Sequence, residues 1–584
     1  MIGKSQPVTA PKYNRWLMAS LAIVVVGLAF RINGYPLLEP DEGRNAEIAR
    51  EMAESNDYVI PRLNGLPYLD KPILYFAVGA AIMELLGPTE LAARLPSLLF
   101  TVATLMLVWW FGHRTLGPAG GLIAAAATGA MPLTLAFART VIFDSALTFF
   151  VTLSVFGFYL AAEPPPGTTD AAGHEHAAAW TSVGWIGLAL AVLTKGPIGL
   201  ALPLMVIMPY LAWRRRWYAL WDPVAVLLFV ALLLPWLFAM SREVPDFLEY
   251  ALVTETFQRL TTDELHRTGP FWYFLPIIVA GSLPWSLVAA VGWKRGRPDH
   301  DASGKWDRRL VLLLLWIVIP LLFFSFSQSK RPHYVLPLMP AIGLLVGLLW
   351  SGRDERACGA RGGGVALVIC GIVILLAPIL VGALLEVEAV VAQAIPGTAR
   401  ALGIVCLIAG ASAFFVSHRQ NLSLFALCAP VVAIPFVSMN LMSAIGEDRS
   451  GREMARAIQR VMTDRTEIIA IQTYPLSLPF YLRRQFLIAT GDGSELTSNY
   501  LIRTYSRWTG TPGSPFRPKD WWVDILANCR LPRVFLARVD DVRARSLLSN
   551  KLPLISTTRK VAAYGPCGAS DLAALPSGQT LTRH

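Results

Sequence analysis

Thirteen long apolar runs constrain the fold of this chain more than any other feature of its sequence. They lie near residues 16–33, 91–112, 119–138, 141–162, 180–195, 197–213, 223–241, 271–293, 309–326, 334–351, 364–386, 401–417 and 421–443. A membrane-spanning helix needs about 20 mainly apolar residues. Only 16% of the 584 residues are charged, whereas a soluble domain has about 25%. We therefore predict a polytopic α-helical membrane protein with about thirteen spans.

The distribution of basic residues predicts the orientation of these spans. Cytoplasmic loops of membrane proteins carry an excess of Lys and Arg. The clusters at 214–216 and 294–308 are both cytoplasmic if the N-terminus is cytoplasmic and segment 73–86 does not cross. That segment is apolar but short and contains Glu84, so we interpret it as an interfacial or re-entrant helix. Basic residues before the first run, with no cleavage site after it, predict a retained signal anchor.

This orientation divides the chain into two domains. Residues 1–443 form the membrane domain, with outer loops at 34–90 and 242–270. Residues 444–584 have a soluble composition, with a helical pattern at 451–462 and strand patterns at 467–472, 485–489 and 533–537. We predict a small α/β domain on the outer side. Its two cysteines, Cys529 and Cys567, could form a disulfide there.

Composition and motifs also exclude some classes of function. The net charge of +11 comes mostly from Lys and Arg in short loops between apolar runs, which fits membrane orientation and argues against nucleic-acid binding. The chain has no phosphate-binding GxxxxGK[ST] motif and no GxGxxG after a strand. A nucleotide-driven machine is therefore not expected.

Ionisable side chains near the outer ends of the spans are the candidate functional residues, because such groups usually mark a site or a pathway. Asp41 opens a helical segment beside Arg44 and could act as a general base. Glu42 is a competing candidate, and an N-cap role is the alternative for Asp41. Lys71 suits a phosphate at the headgroup level, or it could snorkel to the interface.

Further candidates lie in the later outer turns. Asp144 could pair with Arg139, or it could form an acidic wall of a sugar pocket. The remaining candidates are anion ligands and one possible metal ligand: Arg259 and Arg267 in the loop 242–270, His266 in the same loop, and Lys330, Arg331 and Tyr334 in a short turn. Lys330 and Arg331 could also be an ordinary exposed turn. A lone histidine lacks the spaced partners of a metal site.

Seven short motifs, in order along the chain, resemble those of a known family. They are PDEGRNAEI at 40–48, DKP at 70–72, AARLPS at 92–97, VIFD at 141–144, LTKGP at 193–197, PFWY at 270–273 and KRPHY at 330–334. Together they resemble the bacterial lipid A aminoarabinose transferases of the protein O-mannosyltransferase-like GT-C superfamily. One departure is Asn45, where members commonly have an aromatic residue.

The resemblance implies a GT-C fold with a C-terminal periplasmic α/β domain, in the bacterial inner membrane. It also implies transfer of 4-amino-4-deoxy-L-arabinose from undecaprenyl phosphate to lipid A phosphates, which gives resistance to polymyxins. The resemblance implies that Asp41 and Asp144 are the acids and that Lys71, Arg259 or Arg267, and Tyr334 are the donor-phosphate ligands. The residues themselves add Glu42 as a competing acid, Lys330 and Arg331 as further phosphate ligands, and four supporting residues, Arg44, Asp70, Arg139 and His266.

The alternatives left open are another lipid-linked sugar, a protein hydroxyl as acceptor and, outside this class, a membrane transporter. Transporters typically show paired repeats and broken helices, and neither is visible here. No cofactor is required for the transfer, although a bound metal ion stays open. We expect a monomer whose partners are the sugar donor, lipid A and membrane lipids.

Overall fold

The computed structural model of this chain describes residues 14–165, 170–251, 269–296, 306–350, 356–384 and 389–568. They divide into two units. The helical unit comprises residues up to Tyr35 and Lys71–Ala444, and the α/β unit comprises Pro36–Asp70 and the residues from Ile445 onwards. The first outer loop thus belongs largely to the α/β unit, whereas the sequence analysis assigned it to the membrane domain.

The helical unit consists almost entirely of apolar helices. Its α-helices are Arg15–Ala29, Leu74–Leu86, Glu90–Gly129, Pro132–Ala138, Asp144–Ala162, Asp170–Lys195, Pro197–Arg214, Pro223–Glu243, Phe247–Glu249, Phe274–Gly281, Trp285–Gly296, Arg308–Phe326, Met339–Trp350, Arg356–Leu384, Ala389–Phe415, Gln420–Cys428, Pro430–Val437 and Met439–Arg449, the last of which runs into the α/β unit. Short 3₁₀ helices cover Trp217–Leu220, Phe271–Tyr273 and Pro332–Leu338.

Ten helices in the described ranges are long and apolar enough to cross a membrane, and a pair bent by 96° at 281–285 makes an eleventh. The prediction of a polytopic helical membrane protein is therefore confirmed. The count is lower than thirteen because the first run forms a helix of only 15 residues, Arg15–Ala29, and because two predicted runs are counted together in the stretch Glu90–Gly129. That stretch reverses at Gly117, where φ is 84° and a proline follows, since a Cβ on Gly112 would lie 2.8 Å from Cα of Gly121 and a Cβ on Gly129 would lie 2.7 Å from Cδ1 of Leu105. Segment 73–86 forms the 13-residue helix Leu74–Leu86, helical as predicted.

Small residues allow neighbouring helices of this unit to approach closely, as is common between helices in membranes. A Cβ added to Gly364 would lie 2.7 Å from the carbonyl oxygen of Gly410. A Cβ added to Gly371 would lie 2.8 Å from the carbonyl oxygen of Gly403. These contacts join the helices Arg356–Leu384 and Ala389–Phe415 backbone to backbone.

The helix Asp144–Ala162 is the most buried of the candidate spans in the described ranges, with 89% of an 18-residue apolar stretch buried inside the protein. It has 19 residues, which corresponds to a length of about 28 Å and matches the hydrocarbon core of a bilayer. Asp144 opens the helix and Glu163 directly follows it. Each of these carboxylates has basic partners, so the helical unit has a polar cluster at either end of this helix.

The α/β unit is built on a six-stranded sheet with the order β5-β4-β3-β6-β8-β7. Its strands are β3 Glu467–Ile471, β4 Leu487–Ala489, β5 Phe516–Arg517, β6 Arg533–Arg538, β7 Leu554–Thr557 and β8 Val561–Cys567, and β1 Arg62–Leu63 and β2 Leu66–Pro67 form a separate hairpin. Strands β3 to β6 run parallel, whereas β8 is antiparallel to β6 and to β7. The three predicted strands are confirmed as β3, β4 and β6.

Short helices complete this unit: Asp41–Ser55, Arg452–Gln459, Leu478–Leu482, Asn499–Arg503, Tyr505–Trp508, Trp521–Ala527 and Val542–Ser549, with a 3₁₀ turn at Ser494–Leu496. The core between sheet and helices contains Ile469, Phe535 and Trp522. A disulfide joins Cys529 to Cys567, whose Cα atoms are 6.0 Å apart, as the sequence suggested.

Candidate functional site

In the α/β unit, the start of the helix Asp41–Ser55 is held by the buried carboxylate of Glu39. Its Oε1 accepts hydrogen bonds from the backbone nitrogen and the hydroxyl of Ser477, at 2.9 and 2.7 Å. Burial raises the pKa of Glu39, although the bonds from Ser477 oppose the shift. A Cβ on Gly43 would lie 2.7 Å from the Ser477 nitrogen. This close approach fixes the first turn of the helix against the chain that follows β3.

Asp41 and Arg44 form an ion pair of 2.6 Å in that first turn. Arg44 also donates to the Thr497 hydroxyl at 3.1 Å, and its guanidinium lies 5.8 Å from the centre of the Tyr68 ring. Burial alone would lower the pKa of Arg44, but Tyr68, Asp41 and Asp70 together raise it. Arg44 is therefore a fixed cation that orients the Asp41 carboxylate.

The two candidate acids of this turn differ in exposure. Glu42 is 3% exposed, and its Oε2 accepts the backbone N–H of Leu38 at 3.0 Å. The side chain of Asp41 is 38% exposed. Glu42 thus stabilises the start of its own helix, and Asp41 is the carboxylate that a ligand can reach.

Asp70 lies at the other end of the first outer loop and is also buried. It accepts hydrogen bonds from the Ser498 hydroxyl and from the backbone nitrogens of Asn499 and Tyr500, at 3.2, 3.1 and 3.3 Å. A carboxylate at a helix N-terminus satisfies free N–H groups and interacts favourably with the helix dipole. Asp70 therefore fastens the first outer loop to the helix Asn499–Arg503.

In the helical unit, Asp144 and Lys195 form a buried ion pair. Lys195 Nζ lies 2.6 Å from Asp144 Oδ1, and the side chains are 14% and 2% exposed. His333 Nε2 is 3.9 Å from the other carboxylate oxygen. The three residues come from the first turn of one helix, the last turn of another and the 3₁₀ helix Pro332–Leu338.

The alternative in which Arg139 pairs with Asp144 is wrong, because Lys195 occupies that place. Arg139 instead donates to the backbone carbonyls of Leu28, Phe30 and Arg31 at 2.8 to 3.1 Å. These carbonyls belong to the end of the first helix and have no partner within it. Arg139 therefore ties that helix end to the turn before Asp144.

Tyr334 extends this cluster, and Lys330 lies in the turn before it. Lys195 Nζ lies 5.0 Å from the centre of the Tyr334 ring, and the Tyr334 hydroxyl is 3.4 Å from the hydroxyl of Ser329. Lys330 is 8% exposed, and it donates to the Ser327 carbonyl. Its burial lowers its pKa. The Tyr334 phenol thus lies beside the Asp144–Lys195 pair. Lys330 and the half-buried Arg331 belong to the short turn that precedes Tyr334.

Lys71 lies near this end of the helical unit. Gly196, directly after Lys195, has a φ of 73°, and a Cβ added to it would lie 4.0 Å from Cγ of Pro72. The backbone around Lys71 therefore passes the end of the helix that carries Lys195. Lys71 is half-buried.

Three predicted ligands, Arg259, Arg267 and His266, lie outside the described residues. Gly269, the first described residue after them, is next to Lys330, since a Cβ on it would lie 3.1 Å from Lys330 Cδ. Within the described residues, no group of three or more His, Cys, Asp or Glu side chains could hold a metal ion.

The sequence analysis did not assign Lys195 and His333 to the site. Both stand in motifs that it singled out, LTKGP at 193–197 and KRPHY at 330–334. The signal was available, because a lysine at the end of an apolar helix on the predicted outer side needs a partner. Lys195 and Asp144 are 51 residues apart in the chain. Only the packing of their helices therefore identifies Asp144 as the partner.

Comparison with known proteins gives consistent results. The family model for dolichyl-phosphate-mannose-protein mannosyltransferase matches residues 16–251. The undecaprenyl phosphate-alpha-4-amino-4-deoxy-L-arabinose arabinosyl transferase of Aeromonas salmonicida is 31% identical over 456 residues, which are 74% of this chain and 78% of that protein. The protein of the same name from Edwardsiella ictaluri is 33% identical over 352 residues, 59% of this chain and only 60% of the relative.

Among solved structures, the chain is similar to ArnT from Cupriavidus metallidurans bound to undecaprenyl phosphate, with a TM-score of 0.82 and 25% identity over 96% of this chain and 99% of that one. The apo form of the same protein gives a TM-score of 0.77 and 26% identity, over 94% and 97% of the two chains. The sequence and structural similarity extend over most of the chain and include both units. The protein therefore belongs to the family of undecaprenyl phosphate-alpha-4-amino-4-deoxy-L-arabinose arabinosyl transferases, which are membrane glycosyltransferases of the GT-C fold.

Proposed function

We propose that this protein transfers 4-amino-4-deoxy-L-arabinose from undecaprenyl phosphate to phosphate groups of lipid A, at the periplasmic face of the bacterial inner membrane. The observation that carries the proposal is the buried Asp144–Lys195 ion pair, with Tyr334 beside Lys195 and His333 near Asp144. This group lies at one end of the helix Asp144–Ala162, and Arg214 and Arg308 lie at the other end. The positive-inside rule supports a cytoplasmic location for the arginine-rich end.

In the proposed reaction, an oxygen of the lipid A phosphate attacks the anomeric carbon of the sugar. The bond between that carbon and the donor phosphate breaks, and undecaprenyl phosphate leaves with the electron pair. Negative charge develops on the leaving phosphate, and fixed cations that face such charge usually supply the largest catalytic contribution. Lys71 and Lys330, with an arginine of the loop 242–270, would stabilise this negative charge. The Tyr334 hydroxyl would donate a hydrogen bond to the same phosphate.

The two acids have different proposed tasks. The acceptor phosphate is already ionised at neutral pH, so it needs little help from a general base. The Asp41 carboxylate, oriented by Arg44 at 2.6 Å, would bind the amino group of the sugar or accept a proton from the acceptor. Asp144 is held by Lys195 and would act on the sugar hydroxyls.

Mass spectrometry of lipid A tests the proposal. The chain is expressed in a polymyxin-sensitive host that supplies the aminoarabinose donor but lacks its own transferase. We expect lipid A to gain the mass of the aminopentose, and Asp41→Asn to abolish the gain. Asp57→Asn is the matched control, because Asp57 pairs with Arg62 in the same outer loop and has no proposed role. Unmodified lipid A, with the protein folded and the donor present, would refute this donor–acceptor pair and direct the search to another sugar or a protein acceptor.

A further inference from the structure

The second polar cluster of the helical unit, at the other end of the helix Asp144–Ala162, has no part in the proposed reaction. Its centre is Glu163, whose side chain is only 8% exposed. Arg214 Nε and Arg308 Nη1 lie 2.6 and 2.7 Å from the two carboxylate oxygens. Arg216 Nη1 lies 3.8 Å away, and the Tyr210 hydroxyl donates at 3.0 Å. We call these residues the Glu163 cluster.

The charges of the Glu163 cluster do not balance. Three guanidinium groups surround a single carboxylate, so the cluster carries three positive charges and one negative charge, a net charge of +2. The neighbouring Asp307–Arg309 pair, at 2.5 Å, is neutral in itself. Each guanidinium has five N–H donors, and the oxygens of one carboxylate can accept only a few of them. Arg216 and Arg308 remain 31% and 47% exposed, so their remaining donors can reach a ligand.

Tryptophan side chains surround this basic surface. Trp213 and Trp217 are each 43% exposed, and Trp221 is 75% exposed. Tryptophan is enriched at membrane–water interfaces, where its ring lies at the level of the lipid headgroups. The Arg214 guanidinium lies 5.6 Å from the centre of the Trp213 ring. The unpaired positive charge is therefore placed at headgroup depth, where the anions are lipid phosphates.

We propose that the Glu163 cluster is a binding site for an anionic glycerophospholipid. Basic pockets between transmembrane helices on the cytoplasmic side recognise such headgroups, and guanidinium groups bind phosphate oxygens in pairs. The net charge of +2 matches a headgroup with two phosphodiesters, as in cardiolipin. The bound lipid would join the ends of the helices Pro197–Arg214 and Arg308–Phe326 and stabilise the helical unit from the face opposite the Asp144 cluster.

The experiment measures lipid binding to the purified full-length protein in detergent by native mass spectrometry. The probes are cardiolipin, zwitterionic phosphatidylcholine and undecaprenyl phosphate. The test variant Arg216→Gln/Arg308→Gln leaves Arg214 paired with Glu163. The control Arg361→Gln/Arg419→Gln removes the same charge elsewhere on the same predicted face, where Arg361, in the first turns of the helix Arg356–Leu384, donates to the Ser417 hydroxyl.

Each basic residue near a membrane surface contributes about 1 kcal/mol, a factor of about five in affinity, so the test variant should bind cardiolipin about thirtyfold more weakly. The control should stay within about twofold of the wild type. A test variant with wild-type affinity, a control that weakens equally, or phosphatidylcholine that binds as tightly as cardiolipin would each overturn the proposal. Equal binding of undecaprenyl phosphate through the same arginines would overturn it in favour of a polyprenyl-phosphate site.

A folding defect in the double variant would not end the test. Single Arg308→Gln removes the most exposed of the three arginines and should weaken cardiolipin binding about fivefold. Its lipid-free melting temperature in detergent should equal that of the wild type, whereas the increase caused by added cardiolipin should shrink. An unchanged increase in that single variant would contradict the proposal.

Discussion

The buried Asp144–Lys195 pair makes a quantitative prediction about stability. In Lys195→Met the Asp144 carboxylate, 2% exposed, loses its partner at 2.6 Å. Removal of one partner from a buried ion pair costs about 3–5 kcal/mol, because the remaining charge is left in a poorly solvated place. We expect Lys195→Met to lose a free energy of unfolding in this range. Asp144→Asn/Lys195→Met should lose less, because neither buried charge remains.

The assay is SDS denaturation of the purified protein in mixed micelles, applied to both single variants and the double variant. The coupling energy of such a cycle isolates the pair from the separate effects of each side chain. We expect a coupling of about 2–3 kcal/mol at pH 8. Lys551→Met is the control, because Lys551 is exposed in the α/β unit and should change stability by less than about 0.5 kcal/mol. A coupling energy near zero, or additive losses in the double variant, would refute the interpretation of this pair as a mutually dependent unit.

Three further predictions concern the α/β unit and are tested on the full chain. Asp41→Asn should abolish transfer with unchanged stability, whereas Glu42→Gln should mainly lower stability, by about 1 kcal/mol for a lost helix-end hydrogen bond. Transfer assays and SDS denaturation separate the two effects. Equal activity losses at equal stability would contradict the assignment of a reactive role to Asp41 and a structural role to Glu42. Burial raises the pKa of Glu51 to about 8, so the folded state keeps a proton that the unfolded state releases above pH 4.5. The free energy of unfolding should therefore fall between about pH 5 and 8, by at most about 1.4 kcal/mol per pH unit. Glu51→Gln should flatten that slope, and an unchanged slope would exclude Glu51 as its source. Cys529→Ser should lower the free energy of unfolding by about 4 kcal/mol, from the loop-entropy relation and the 38-residue separation from Cys567. A reductant should lower the stability of the wild type to that of the variant. A variant as stable as the oxidised wild type would show that the disulfide contributes nothing.

Much of the helical fold was predictable because its signal is local. A span is recognised from about 20 consecutive residues, and the α/β strands from runs of about five. The predicted count of about thirteen roughly fits the structure. The sequence separates the two halves of Glu90–Gly129, which reverse direction at Gly117 and pack side by side. Hydropathy cannot tell that the first helix contains only 15 residues.

The candidate site was predictable in residue type but less so in partnership. One of the two alternatives for Asp144 paired it with Arg139, five residues earlier in the chain, yet Arg139 donates to the carbonyl of Leu28, 111 residues before it. Asp70 accepts from Ser498, at a separation of 428 residues. No periodicity in the sequence reports contacts at such distances. They arise because buried polar groups must find partners wherever the packing brings them, and only the three-dimensional structure identifies the partner.

Buried polar groups must find partners, and the two ends of the helix Asp144–Ala162 meet this requirement in different ways. At one end, Asp144 and Lys195 form a balanced pair, and the additional cation Lys330 is buried. At the other end, Glu163 is outnumbered by arginines, two of which remain about a third to a half exposed. A buried, balanced ion pair is held in one geometry and can orient a substrate before the reaction. An exposed cluster with excess charge is suited instead to an anion that arrives from outside and can exchange. Under the two proposals, the same helix would carry a preorganised reaction site at one end and an exchangeable lipid site at the other, and variants at one end should leave the binding measured at the other unchanged.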